Sequence, residues 1–174
     1  MADVSLVTNI LSVLTVIGDI FIGIFLLSLI YQYLSKKKIN FNLIKEHSLF
    51  LSFIVALIAT IGSLFYSEIA GYTPCKLCWF QRIFMYPQTI LLGIALLRKA
   101  KGLYYYLVPL SAIGALISFN HYLIQIMEYA TSCGIEAVSC SVKYTFHFGY
   151  ITIPMMALTA FGLIIIFLHI GQRE

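Results

Sequence analysis

Five long apolar runs, each near the length of a membrane crossing, fix most of what this chain can become. A transmembrane helix needs about 20 mostly apolar residues. The runs extend from Val4 to Leu34, His47 to Ser67, Trp79 to Leu97, Gly102 to Met127 and Gly149 to Ile170. They do not alternate apolar and polar residues, as the strands of a membrane barrel do, so the expected elements are helices. The first run holds one charged residue, Asp19. It is too long for a cleaved signal peptide, no basic residue precedes it, and Lys36, Lys37 and Lys38 follow it. Composition agrees: 61% of the residues are hydrophobic and 10% charged, where soluble domains carry about 25% charged residues. That scarcity excludes a soluble domain, a disordered tail, a coiled coil and a module binding nucleic acid. The expected surroundings are a lipid bilayer, and the length of 174 residues suits one domain.

The basic residues orient the spans. Lys36, Lys37, Lys38 and Lys45 lie between the first two, Arg98, Lys99 and Lys101 between the third and fourth, and Arg173 in the tail. Those segments share one side of the membrane and hold eight of the eleven basic residues. The positive-inside rule makes that side cytoplasmic, with the N-terminus outside and the C-terminus inside.

The four cysteines obey this topology. Cys75 and Cys78 lie between spans two and three, Cys133 and Cys140 between spans four and five. Both breaks are extracytoplasmic. That side of a bacterial membrane is oxidising, so thiols there can form disulfides. Two pairs in short loops on one face can also meet.

Cys75 and Cys78 stand in Thr73-Pro74-Cys75-Lys76-Leu77-Cys78-Trp79-Phe80-Gln81-Arg82. Pro74 suits the first turn of a helix. In a helical turn the two cysteines share a face, and the free amides and positive macrodipole end there favour a thiolate. Arg82, four residues after Cys78, brings a fixed charge to the same face. Its position near the membrane boundary has a cost that argues for a role, although an arginine there also snorkels to the interface. Cys75 and Cys78 also admit a structural staple or half of a zinc site, but a CxxC ring is tight and tends toward redox chemistry. Zinc pairs are usually separated by two to four residues, and Cys133 and Cys140 have a looser spacing, so no metal is expected.

The run from Pro74 to Arg82, with Tyr86-Pro87 following, resembles the signature of the disulfide bond formation protein B family (DsbB and its BdbC-type relatives). The resemblance covers roughly His47 to Ile170 and includes Gly149-Tyr150-Ile151-Thr152-Ile153-Pro154 at the entry to the last span. It implies a four-helix transmembrane bundle, residues 47–174, here carrying one additional N-terminal transmembrane helix and a basic loop in residues 1–46. It also implies two redox disulfides, Cys75–Cys78 and Cys133–Cys140. The implied catalytic set is Cys75, Cys78, Cys133, Cys140 and Arg82. Cys78 and Arg82 would face a quinone, ubiquinone or menaquinone, and His121 and Gln125 resemble a pair lying near it. The implied partners are a DsbA-like thioredoxin-fold oxidase and the membrane quinone pool, in the plasma (inner) membrane.

Two departures stand out: the extra first span with its Asp19, and a second loop short for the family. The expected activity is that of a thiol:quinone oxidoreductase. A vitamin K epoxide reductase-like protein has similar chemistry, but there the loop pair precedes the CxxC. A membrane metal-binding or scaffold protein with structural cysteines is the alternative from another class. Hydropathy alone also admits a transporter, but nothing in the sequence marks a substrate path.

Overall fold

A computed structural model describes residues 2–36, 42–98, 102–127 and 139–172. Five helices follow one another: α1 Ala2–Ser35, α2 Asn42–Leu64, α3 Lys76–Arg98, α4 Tyr104–Ile126 and α5 Ile153–Gln172. A π-helical turn, Phe65–Ile69, prolongs α2. All five helices are long and apolar enough to cross a membrane, and the described residues contain no strand beyond an isolated bridge between His147 and Ile151. The chain is an all-α membrane protein. Large apolar side chains such as Leu6, Ile10, Leu27, Ile90 and Leu116 lie exposed on the bundle's outside. In water that pattern would be an aggregation hazard; in a bilayer it is the lipid-facing surface.

Helices α2, α3, α4 and α5 enclose the main core, with Leu92, Leu107, Phe161 and Ile164 fully buried. Lipid is as apolar as leucine, so close packing and buried polar contacts do more here than hydrophobic transfer. Gly114 of α4 shows the packing: a Cβ there would collide with the ring of Phe161. The Ser111 hydroxyl donates to Gln88 Oε1 at 2.6 Å, and the Thr60 and Thr89 hydroxyls meet at 2.8 Å, tying α4 to α3 and α3 to α2.

Helix α1 lies beside α5 and runs parallel to it, Gly18 facing Thr159 and Phe25 facing Ile166 and Ile170. Asp19 accepts hydrogen bonds from the Thr159 hydroxyl at 2.6 Å and the Tyr150 hydroxyl at 3.0 Å. The carboxylate flagged by the sequence therefore joins the extra helix to α5 and to the turn that precedes it. Chain reversal before α5 uses Phe148 and Gly149 at φ 51° and 79°, a conformation that costs glycine little.

The alternation of helices puts Lys36, Lys45 and Arg98 at one end of the bundle and the two cysteine loops at the other. Lys37, Lys38, Lys99, Lys101, Arg173 and Cys133 lie outside the described residues.

Candidate redox site

The helix carrying the CxxC starts two residues after Pro74, the start that the sequence suggests. Pro74 and Cys75 precede α3, and the Cys75 carbonyl accepts the Trp79 amide at 3.1 Å, which makes Cys75 the residue that opens the helix. Cys78 sits one turn inside. The Sγ atoms of the two cysteines lie 3.2 Å apart. From this shared contact they diverge into different surroundings.

Cys75 is buried against α4 and the second loop. His121 of α4, only 1% exposed, brings Nε2 to 3.6 Å from Cys75 Sγ and to 3.1 Å from the Cys140 carbonyl oxygen. Its Nδ1 lies 3.0 Å from Gln81 Nε2. The amide nitrogen can only donate and the carbonyl can only accept, so Nδ1 is the bare nitrogen and Nε2 carries the proton. The imidazole is thus a donor toward both the Cys140 backbone and the Cys75 sulfur. Cys75 Sγ, a His121 ring nitrogen and Cys140 Sγ all lie within 4.8 Å of one another. Three side chains of metal-ligand type therefore meet at this point.

Gln125, one turn below His121, donates from Nε2 to the Val142 carbonyl at 2.9 Å and so holds the chain just after Cys140. A stack of three tyrosines does similar work at the rim. The Tyr66 and Tyr72 rings lie 5.8 Å apart, the Tyr72 and Tyr144 rings 4.6 Å apart, and the Tyr144 hydroxyl donates to the Thr73 carbonyl. The second loop is thereby fastened over the first. Contact with Cys78 is the main cause that pushes the Cys75 thiol up to about 11, and burial adds to it, while the His121 donor pulls the other way. The thiolate expected of a helix terminus does not extend to Cys75: its amide-rich position is outweighed by its neighbours.

Cys78 opens instead onto a cavity of about 400 Å³ between α1, α2, α3 and α5. Arg82 lines the same cavity and is held from α2: its Nε donates to Ser63 Oγ and its Nη2 to the Ser63 carbonyl, both at 3.0 Å. Tyr86 donates to Ser63 Oγ at 3.2 Å, and the Arg82 guanidinium carbon stands 5.4 Å from the Trp79 ring centroid. The guanidinium is thus bonded within the protein rather than reaching for the interface. Most of the polar lining gathers at the Cys78 end and the remainder is mostly apolar, apart from Thr15 and Thr159, which suits a ligand with a polar ring and an apolar tail.

His121 and Gln125 do not line this cavity. They border a smaller one, with Cys75, Cys78 and Cys140, on the other side of the CxxC. Gln81 borders the large cavity while bonding to His121. Sequence reading singled out neither Gln81 nor Ser63. Gln81 falls three residues after Cys78, the helical spacing that could have marked it; nothing local marked Ser63.

The pairing expected between Cys133 and Cys140 lies outside the described residues, since Cys133 does.

Comparison with known proteins adds the family. The family model "Disulfide bond formation protein DsbB" matches residues 45–171. Disulfide bond formation protein C of Bacillus subtilis is 48% identical over 128 residues, covering 72% of this chain and 93% of its own. A probable disulfide formation protein C 1 of Bacillus anthracis is 44% identical over 119 residues, covering 67% and 86%. A probable disulfide formation protein of Coxiella burnetii is 39% identical over 141 residues, covering 76% and 96%. No solved structure matches the chain. With most of the chain and nearly the full length of these relatives in register, the chain belongs to the DsbB family of disulfide bond formation proteins.

Proposed function

We propose that the protein is a membrane oxidoreductase that makes disulfides by passing electrons from a thioredoxin-fold dithiol partner to a quinone of the membrane pool. The observation that carries this is the divided setting of the CxxC: Cys75 within 4.8 Å of Cys140 on one side, Cys78 and Arg82 on the cavity on the other. A pair so divided suits a relay between a protein thiol and a lipid-soluble acceptor. The family match, the aligned relatives and the short approach between the two loops support the same reading.

The sequence of exchanges balances. A thiolate of the partner attacks the Cys133–Cys140 disulfide, and the partner leaves oxidised with both loop thiols reduced. Cys140, as thiolate, then attacks Cys75 in the Cys75–Cys78 disulfide. Sulfur leaves more readily the lower its thiol pKa, so the raised Cys75 thiol makes Cys78 the better leaving group. Cys133 closes the loop disulfide again and releases Cys75. The chain now holds two electrons and two protons on Cys75 and Cys78. A bound quinone supplies the two-electron acceptor chemistry. Arg82 offers positive charge beside Cys78 and donors for a ring oxygen, and the apolar walls exclude water. Ubiquinone and menaquinone both fit this chemistry.

The bilayer is the plasma (inner) membrane, with the cysteine end outside; the basic residues at the opposite end support that orientation. Residues 47–174 make the four-helix oxidoreductase, and residues 1–46 add the first helix and its basic loop.

The test separates the two disulfides. Cys140→Ala should stop oxidation of a thioredoxin-fold dithiol yet let quinone reoxidise a chemically reduced Cys75–Cys78 pair. Cys78→Ala should stop both. Equal loss of quinone reoxidation in the two variants would refute the divided relay.

A further inference from the structure

The helix that precedes the family match, which begins at residue 45, is built into the cavity wall. We infer that α1 holds the apolar tail of a prenylated quinone, so that this chain selects its acceptor by tail as well as by ring; the inference rests on the quinone reading above.

Leu14, Ile17 and Phe21 of α1 line the cavity opposite Leu51 and Ile54 of α2. From Leu51 to Gly62 the α2 wall is roughly 16 Å long at a helical rise of 1.5 Å per residue. At the upper end α1 closes on α2, where a Cβ on Gly62 would stand 3.0 Å from the Leu11 side chain. At the lower end the Phe21 and Phe167 rings, 5.3 Å apart, form a floor. Between these closures the two helices stay apart and the space between them is lined by hydrocarbon.

The placement of α1 is specific. Gly18 lets it approach α5 until a Cβ would stand 2.8 Å from Thr159 and 3.0 Å from Leu163. Asp19, bonded to Thr159 and Tyr150, fixes its height along α5. With the polar groups collected at Cys78 and Arg82, the occupant that matches is an amphiphile with its polar ring at that end and its chain along α1. Moving such a chain from lipid into this slot gains little by transfer, because lipid is equally apolar. Selection therefore comes from shape, and small changes in the wall should be felt.

Trp79 is the single tryptophan and stands beside Arg82, so its fluorescence reports a quinone ring at the Cys78 end. The full chain in detergent is titrated with a geranylated benzoquinone and with the same ring lacking the tail. Leu14 and Ile17 are 42% and 57% exposed, so larger side chains there have room to fold. Leu14→Phe with Ile17→Phe should weaken the tailed quinone about tenfold, the scale of a misfit in a hydrophobic pocket, and leave the tail-less ring unchanged. Ile20→Phe with Ile24→Phe, on the lipid face of α1, should change neither. Leu14→Ala with Ile17→Ala, which opens the wall, should also weaken only the tailed ligand and serves if the larger pair misfolds. Equal affinities for the two quinones in the unaltered protein, or wall variants that affect both alike or neither, would overturn the inference and leave the quinone reading standing. No quenching by either quinone would remove the quinone reading and this one with it.

Discussion

Cys75 and Cys78 differ by three positions and live in different chemistries. Cys75 meets an imidazole and a second cysteine in a buried pocket, where the imidazole is itself held by the Cys140 carbonyl. Cys78 meets a guanidinium and a cavity whose walls are mostly hydrocarbon. The difference follows from one helical turn: Cys75 opens α3 and faces α4, while Cys78 lies inside it and turns toward α2 and α1. On the proposed reading, a dithiol that answers to both a protein and a lipid-soluble acceptor is served by this division. Each side can be damaged while the other is watched.

The largest effect is expected on the Cys78 side. A unit charge at about 4 Å contributes roughly 4 kcal/mol at an effective dielectric of 20, and solvent at the membrane boundary reduces this. Arg82→Met keeps much of the stem but loses the charge and the donors that Ser63 now orients. Steady-state quinone reduction should fall by about a hundredfold, the scale of losing one oriented donor beside developing charge. Arg82→Lys should recover part of it, having charge without the planar fork. Exchange between the Cys133–Cys140 pair and a small dithiol should be unchanged in both. Loss of both activities together would mean that Arg82 holds the whole site and that the two sides are not independent.

On the Cys75 side the expected effect is smaller and pH-dependent. The thiolate is the form that reacts with an alkylating agent. With its thiol raised to about 11, Cys75 in the reduced protein should react slowly near neutrality and faster up to about pH 11. His121 opposes that rise, so His121→Ala should move the rate profile to still higher pH and slow alkylation at any pH below the plateau. The profile is measured by mass spectrometry at Cys75. Binding of a quinone, read from Trp79 quenching, should stay as it is, because His121 lies off the large cavity. A profile moved to lower pH would refute the donor role assigned to Nε2.

How much of this was legible follows residue by residue. The five spans were, because a bilayer demands long apolar runs and the runs have little else in them. The placement of the CxxC at the start of α3, with Arg82 one turn further along, was, because cysteine and arginine at helical spacing near a membrane boundary are rare enough to draw the eye. The separation of His121 and Gln125 from the cavity was not. Both positions sit at the outer end of α4, and only the packing of α4 against the second loop turns them toward Cys75 and Val142. Ser63 was invisible for a similar reason: its value lies in its register against Arg82 across two helices, and no local pattern encodes that. The function of Asp19 as a tie between α1 and α5 needed the parallel placement of helices separated by most of the chain.

The smallest effect should come from the residue that spans the division. Gln81 is buried, touches the large cavity and donates to His121 Nδ1. Together with the Cys140 carbonyl, that bond keeps the proton on Nε2, facing Cys75. Gln81→Leu preserves bulk and leaves Nδ1 unpaired, so that only the Cys140 carbonyl still holds the proton on Nε2. One neutral hydrogen bond is worth about 1 kcal/mol, so the Cys75 alkylation profile should move in the same direction as in His121→Ala but by less. The same variant places a methyl-bearing side chain on the cavity wall and should alter quinone affinity by no more than about threefold, within the cost of a well-tolerated apolar change. Gln81→Glu sharpens the comparison. A carboxylate can only accept, and the Cys140 carbonyl facing Nε2 can only accept as well, so both ring nitrogens are asked to donate, and a ring protonated on both is a stronger donor to Cys75. The Cys75 profile should then move to lower pH, opposite to Gln81→Leu. If both substitutions moved it the same way, the Gln81–His121 bond would be a packing contact only, and the two sides of the CxxC would be joined by nothing but their shared helix.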